Sequence, residues 1–493
     1  MSEGRMILLA GGLMAVALLA SLVAGRVRVP GLLLFLGVGM LMGSDALGFV
    51  EFDDYVVARH VGIVALALIL FEGGLAAGWP EIRPVIAVSL SLALLGTLLT
   101  AAVAGLAAAW LFDFSLVEGM LVGSVVAATD GAAIFSLLRH STLERRLART
   151  LEGEAGLNDP VAVLLVIGFI EWIQTPDYGV LDMLLLFVKQ LGIGAVAGLV
   201  VGRLGVEAFR RMSLASAGLY PVASITVAAL AFGSADVLHG SGFLAVYLAG
   251  MTLRSGNIPA KRTITTFHDG MAWIAQLAMF LTLGLLVFPS QLGDVAVEGT
   301  VLALVLVLVA RPLATIVATA FSGFTLGERV VLGWAGLRGA VPVVLATFAV
   351  IDHVPHSLEF FNIVFFAVLI STLLQGTTFE LLADRLGATT ARPAVPMPLA
   401  ETGTIRGLGA EVVEFPIRPS DAIVGSRVRE LGLPREAIVN VIVRGDDAIP
   451  PRGSTLIEAG DRLHVLVRQE VTAEMEGVLE RWRTGTPEDG SER

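Results

Sequence analysis

Apolar runs long enough to cross a hydrocarbon layer recur along the chain as far as about residue 385, and that recurrence limits the fold more than any motif does. A bilayer core of roughly 30 Å is crossed by about 20 apolar residues at 1.5 Å rise. Windows of about 19 residues pick out thirteen candidate spans, starting near residues 6, 30, 57, 84, 115, 147, 183, 216, 240, 268, 297, 327 and 359. Only 16% of the 493 residues are charged, 55% are hydrophobic and the mean hydropathy is +0.82, which excludes a soluble globular protein of this length. The expected fold is an all-α polytopic membrane domain.

Loop charge orients the spans. Arg26 and Arg28 follow the first run, Arg83 the third, Arg139, Arg145, Arg146 and Arg149 the fifth, Arg210 and Arg211 the seventh, and Arg254, Lys261 and Arg262 the ninth. Arg329 follows the eleventh and Arg385 and Arg392 the thirteenth. The intervening loops are poor in Lys and Arg, with Arg59 the main exception, so the N-terminus is expected outside and the C-terminus in the cytoplasm. The run Met6–Ala24 has a Val23-Ala24-Gly25 end that suits a signal peptide, but its positive charge is heavier after the run than before it, which favours a retained span. With no cysteine there are no disulfides or thiolate metal sites, and no basic tract suits a nucleic-acid backbone.

The chain repeats itself. Ala127-Ala-Thr-Asp-Gly-Ala-Ala-Ile134 in the fifth span aligns without gaps on Ala335-Gly-Leu-Arg-Gly-Ala-Val-Pro342 in the twelfth, with Asp130 opposite Arg338. An offset of seven spans, being odd, makes the copies cross the membrane in opposite senses, an inverted repeat of the kind many secondary transporters use. Breakers flank both charges, and interrupted helix at membrane depth is tolerated only when buried or lining a cavity. Opposed half-helices gather positive N-terminal ends at one point and negative C-terminal ends at another, which Asp130 and Arg338 would respectively compensate. A kinked helix in which Asp130 and Arg338 pair directly is the alternative.

Inside the sixth span lies Leu151-Glu-Gly-Glu-Ala-Gly-Leu-Asn-Asp-Pro160. A central charge costs about 2.5–3.5 kcal/mol on insertion scales, so intramembrane carboxylates are read as functional. Helical spacing puts Ala155, Asn158, Asp159 and Ala162 on one face, with Glu154 rotated by about 140° from Asp159. A hard monovalent cation takes oxygen ligands, which Asp159, the Asn158 amide and the Thr129 hydroxyl or carbonyl can supply. A carboxylate withdrawn from water binds a proton more readily, so Asp159 would hold a proton or a cation, never both. Glu154 is expected to be structural, in a buried ion pair with Arg338. Glu72, in Phe71-Glu-Gly-Gly-Leu75, either lines the ion path or sits at a wet span end. Arg311 before Pro312 is expected to snorkel or pair locally, the histidines to lie mostly in loops or span ends, and Phe360–Phe366 to be packing or lipid surface.

The expected domains are a transmembrane exchanger domain over 1–386, a linker over 387–402, a small α+β domain over 403–485 and a disordered tail over 486–493. In the small domain, Glu411–Ile417, Ala437–Arg444 and Arg462–Arg468 read as strands, Ser426–Leu433 as a short helix and Glu470–Trp482 as an amphipathic one.

Ala128-Thr-Asp130, Glu154-Ala-Gly-Leu-Asn-Asp159 and Gly336-Leu-Arg-Gly339 resemble the three core motifs of the monovalent cation:proton antiporters, in the prokaryotic branch with Asn-Asp rather than Asp-Asp. The resemblance covers residues 1–385. It implies about thirteen helices with inverted repeats and two interrupted crossing helices, a homodimer, elevator-like alternating access and electroneutral exchange of K⁺ or Na⁺ for H⁺ in the cytoplasmic (inner) membrane. It assigns ion binding to Asp159 with Asn158 beside it, the helix crossing to Asp130 and Arg338, and a Glu–Arg pair to Glu154. Ala155 departs from the Ser of several Na⁺-type members. The tail resembles the C-terminal lobe of the RCK (regulator of K⁺ conductance) domain, which favours K⁺ and makes a regulatory nucleotide there the one ligand besides ions and lipid; a purely structural dimer clamp is the alternative. An RCK-gated K⁺ channel lacks a T-V-G-Y-G filter in this chain, and an intramembrane hydrolase lacks its Asp or Ser/His set.

Overall fold

The computed structural model describes residues 31–131, 133–134, 143–212, 218–389, 400–405, 410–444, 447–468 and 471–484, with scattered positions among residues 4–19 and at 214 and 216. The expected first span over 6–24, with Arg26, Arg28, Arg139 and Arg392, and the tail over 486–493 therefore lie largely or wholly outside the described residues. The chain divides into two compact units, Met1–Val395 and Pro396–Arg493.

The first unit is helical. Its main helices are α1 (Gly31–Met42), α2 (Tyr55–Ala77), α3 (Ile86–Leu111), α4 (Leu116–Ala127), α5 (Arg145–Gln174), α6 (Val180–Arg211), α7 (Leu219–Val237), α8 (Gly242–Ser255), α9 (Lys261–Leu285), α10 (Pro289–Ala318), α11 (Leu326–Trp334), α12 (Ala340–Ile351) and α13 (Ser357–Arg385). Among the described residues seven of them, α2, α3, α5, α6, α7, α10 and α13, are long and apolar enough to cross a membrane. The other expected spans map onto shorter or more polar elements. Helix α4 stops at an interruption and α12 begins after one, α8 has 14 residues, and α9 carries Lys261, Arg262, His268 and Asp269.

The helices pack in two groups. One contains α1, α2, α6, α7, α8 and α9; the other contains α3, α4, α5, α10, α11, α12 and α13. Within the first group, α2 and α8 approach so closely that a Cβ at Gly250 would overlap the Phe71 carbonyl and one at Gly74 the Tyr247 carbonyl, the close approach that small residues permit in membranes. Between the groups, α5 lies against α2 and α8, and α12 against α2. There the Tyr247 ring rests on Gly156 and Val344 fills the space above Gly62.

The repeat visible in the sequence extends further in the structure. Helices α4 and α11 both begin with a capping box, Ser115 with Glu118 and Thr325 with Glu328, in which side chain and backbone satisfy each other's donors. Each follows a long helix containing a π-helical turn, Leu92–Gly96 in α3 and Leu306–Ala310 in α10. Both α4 and α11 end where regular helix gives way before residue 130 or 339.

The second unit is a five-stranded antiparallel sheet of order β1-β2-β5-β3-β4, formed by Ala400–Ile405, Ala410–Pro416, Ala437–Arg444, Asp447–Ile449 and Arg462–Arg468, with helix α14 (Thr472–Thr484). Phe415, Val439, Ile442, Leu463, Val465, Val467, Met475, Val478 and Trp482 share its core. The helix expected over Ser426–Leu433 is only a 3-10 turn at Val428–Glu430, because Gly425 and Gly432 flank it at φ 86° and 61°.

Candidate functional site

Residues 128–130 and 336–339 have left the helix, and each break satisfies the other's backbone. The Asp130 N–H donates to the Leu337 carbonyl at 2.8 Å, and Arg338 Nη1 donates to the Ala127 carbonyl at 2.5 Å. Past the first break the helix resumes, with Ala133 N–H donating to Asp130 Oδ1 at 3.1 Å and Ile134 N–H to the Asp130 carbonyl at 3.0 Å. Asp130 thus caps a helix N-terminus, where a negative charge is favourable, while Arg338 meets the carbonyl end of α4, where a positive one is. Gly339 is required here: a Cβ would fall on the Asp130 carboxylate.

Helix α13 closes the second break. Thr372 Oγ1 donates to the Arg338 carbonyl, Gln375 Nε2 to the Trp334 carbonyl at 3.1 Å, and Ser371 Oγ to Gln375 Oε1 at 2.6 Å. Freed carbonyls in a membrane core demand such donors. Ser371, Thr372 and Gln375 were not singled out in the sequence; their spacing on one face of an apolar span was the available signal.

Helix α5 brings Glu154, Asn158 and Asp159 to this crossing. All three are buried, as are Thr129, Asp130 and Arg338. Asn158 Nδ2 donates to Thr129 Oγ1, tying α5 to the first break. Among the described residues Asn158 Oδ1 and Asp159 Oδ1 are buried with no hydrogen-bond donor. Asp159 also lies close enough to Asp130 for their charges to repel. Buried oxygens without donors beside two mutually repelling carboxylates suit a cation or a proton. Pro160 contributes as well, since it has no N–H to give the Gly156 carbonyl. Glu72 is buried in α2, two residues before the Gly74 crossing with α8. Ala155 is buried too.

The partner of Glu154 differs from the expected one. Arg311 Nη2, not Arg338, reaches Glu154 Oε1, at 2.6 Å and with both side chains 2% exposed, a buried ion pair. Arg338 is spent on the Ala127 carbonyl, and Gly336 leaves the lane along which Arg311 runs, since a Cβ there would lie 2.6 Å from Arg311 Nε. Arg311 follows the π-helical turn of α10 and, far from snorkelling, is buried. His268 also departs from the expectation for histidines. It is buried inside α9, 2.7 Å from Ser224 Oγ and 4.9 Å from the Phe71 ring. Phe360, Phe361 and Phe365 are internal packing, with Phe360 edge-on to Phe114 and Phe361 to Tyr55.

Comparison with known proteins identifies the group to which this arrangement belongs. Residues 14–385 match the model of the transmembrane sodium/hydrogen exchanger family, and residues 412–479 match the TrkA-C domain. The chain belongs to the sodium/hydrogen exchanger family. It is 38% identical over 463 residues to the K(+)/H(+) antiporter NhaP2 of Shewanella sp. (strain ANA-3), covering 93% of this chain and 80% of that one. It is 34% identical to the K(+)/H(+) antiporter NhaP of Alkalimonas amylolytica, covering 96% and 83%. The fold is that of the sodium proton antiporter MjNhaP1 from Methanocaldococcus jannaschii, with a TM-score of 0.66, 21% identity, and 77% of this chain and 99% of that one covered. Family membership makes the chain a multi-pass membrane transporter rather than an enzyme and lends nothing to the gated-channel alternative.

Proposed function

We propose that the protein exchanges a monovalent cation, K⁺ in preference to Na⁺, for H⁺ across the cytoplasmic (inner) membrane, electroneutrally and by alternating access. The observation that carries this reading is the pair of buried, donor-free oxygens on Asn158 and Asp159 beside the interrupted helices. Asp159 is the group at which cation and proton exclude each other. The Asn158 amide oxygen completes the cation's shell, and Thr129 orients that amide and offers oxygen from the first break. Asp130 and Arg338 hold the crossing by compensating half-helix ends, Glu154 with Arg311 braces α5 against α10, and Glu72 belongs to the ion path. The K⁺ preference rests on the two curated K(+)/H(+) antiporters that the chain resembles along nearly its whole length. Na⁺ is the second reading, since the Na(+)/H(+) antiporter NhaH of Halobacillus aidingensis is 25% identical over 76% of this chain.

The transport domain is assigned to 1–386, the linker to 387–402 and the regulatory domain to 403–485, in a homodimer with the N-terminus outside and the C-terminal domain in the cytoplasm. That domain is read as the seat of a regulatory nucleotide. Proteoliposomes carrying the wild type should show K⁺-dependent proton movement on a pH dye, with weaker responses to Na⁺ and Li⁺. Asp159→Ala should abolish it, and full exchange by that variant would overturn the proposal.

A further inference from the structure

One buried carboxylate of α5 has no part in the exchange described above. Glu152 is 5% exposed and lies seven residues before Asp159, which is two helical turns, about 10.5 Å of rise, on the same face of the helix. Between them on that face is Gly156, whose missing side chain is replaced by Tyr247 from α8. A Cβ at Gly156 would lie 2.7 Å from the Tyr247 hydroxyl oxygen. Tyr247 is fully buried, near enough to Glu152 to feel its charge, and among the described residues its hydroxyl has no hydrogen-bond partner. A buried tyrosine hydroxyl ordinarily finds a partner. The carbonyl of Gly156, the residue the ring covers, cannot receive an N–H from Pro160.

Beyond Glu152, toward the start of α5, stands one arginine shared by two acids. Arg149 Nη1 lies 2.6 Å from Glu152 Oε2, and its Nη2 lies 2.6 Å from Glu81 Oε2. Arg145 also reaches Glu81, at 3.2 Å. Glu81 is about one-third exposed and sits on the short helix Trp79–Ile82, which is tied to the other helix group because the Trp79 N–H donates to Ser255 Oγ at the end of α8. The charged groups acting on Glu152 are thus Arg149, Arg145 and Glu81, and Tyr247 of α8 lies within electrostatic range of it. Because each terminal nitrogen of Arg149 serves a different carboxylate, the guanidinium can release Glu152 and keep Glu81.

We propose that Glu152, the Tyr247 hydroxyl and the Gly156 carbonyl form a staging station for the transported monovalent cation, two turns from Asp159 and gated by release of Glu152 from Arg149. The cation takes the guanidinium's place as counter-charge at Glu152, gains two neutral oxygens from Tyr247 and Gly156, and passes along one face of α5 to Asp159. A purely structural brace would give Glu152 the same arginine but no reason for an orphaned hydroxyl against Gly156, one turn further along the same face. This inference rests on the exchange reading above.

The test is K⁺-dependent proton movement in proteoliposomes of the full chain, read as KM for K⁺ and maximal rate separately. Glu152→Gln should raise KM about tenfold, the loss of one charged contact, and Tyr247→Phe, which keeps the ring on Gly156, about threefold, both with the maximal rate largely kept. A wild-type KM in both variants, or a fall in maximal rate at unchanged KM, would overturn the station. If Glu152→Gln fails to assemble, Tyr247→Phe decides alone. Asp159→Asn in the same vesicles separates the two readings: persistence of exchange there defeats the antiport reading, whereas its loss alongside wild-type KM values in the other variants defeats only the station.

Discussion

At the scale of single residues, the pair Glu154–Arg311 separates what a sequence can reveal from what it cannot. That Glu154 needs a cationic partner follows from one rule: a carboxylate deep in an apolar helix is neutralised or paired. Which arginine answers depends on the rotation of α10 about its axis at the π-helical turn Leu306–Ala310 and on the lane past Gly336, and neither is written in local spacing. Arg311→Met should therefore strand a buried charge and lower stability by about 3–5 kcal/mol, seen as a fall in unfolding temperature of the detergent-solubilised protein. Adding Glu154→Gln should recover most of it. The same cycle between Glu154 and Arg338 should give a markedly smaller coupling energy, and equal couplings would show that the arginines share the acid.

At the scale of elements, the two interruptions were legible because their causes are local. Gly336 and Gly339 lie in the second break, Gly131 directly follows the first and Pro342 stands in the first turn of α12, where its missing N–H costs nothing, and a single charge among such residues marks a half-helix end. The donors on α13 were hidden because Ser and Thr in an apolar helix ordinarily bond their own backbone, and only the tertiary positions of Arg338 and Trp334 give Thr372 and Gln375 their acceptors. Gly339→Ala is expected to displace the Asp130 carboxylate, costing about 1–3 kcal/mol and slowing exchange, while Gly333→Ala, whose Cβ would meet its neighbours at no less than 3.5 Å, should leave both unchanged. Transport rates and unfolding temperatures of the two variants side by side check this. In the small domain the strands Ala437–Arg444 and Arg462–Arg468 match their expected limits because the second alternates with period 2 and the first is an apolar run of strand length, buried at Val439 and Ile442 on either side of a bulge, whereas three-residue β4 is too short to carry either signal. Burial alone would raise the Asp461 carboxyl, but two bonds from Arg444 at 2.8 and 2.9 Å and one from the Glu458 N–H hold it below the usual carboxylate range. A group depressed in the folded state stabilises above its unfolded value of about 3.9 and loses that contribution as pH falls through the folded value. Protection of the β5 amides against hydrogen exchange, taken relative to the intrinsic rate at each pH, should fall below about pH 4 in the full chain, and Arg444→Met should lower it at neutral pH and flatten the acid dependence.

At the scale of the whole molecule, apolar runs and alternating loop charge foretell a polytopic bundle but do not say which helices travel together. That is decided by surfaces, and the boundary between the two helix groups is made of glycine on one side and a bulky side chain on the other: Gly62 of α2 under Val344 of α12, and Gly156 of α5 under Tyr247 of α8. Such a boundary has few interlocking ridges, and it passes beside Glu152 and along the helix that carries Asp159. If access alternates by one group sliding on the other, the contact between Gly62 and Val344 must break in every cycle. The chain has no cysteine, so Gly62→Cys with Val344→Cys introduces a unique pair, and a Cβ at position 62 would stand 3.3 Å from the Val344 Cβ, slightly short of the roughly 3.5–4.5 Å that a disulfide spans, so a small separation of the helices lets the bond close. Oxidation should abolish exchange in the double variant, neither single variant should respond, and a reductant should restore the rate. Full exchange after complete cross-linking would mean that the groups stay fixed and that access to Asp159 changes only through local movement of the interrupted helices.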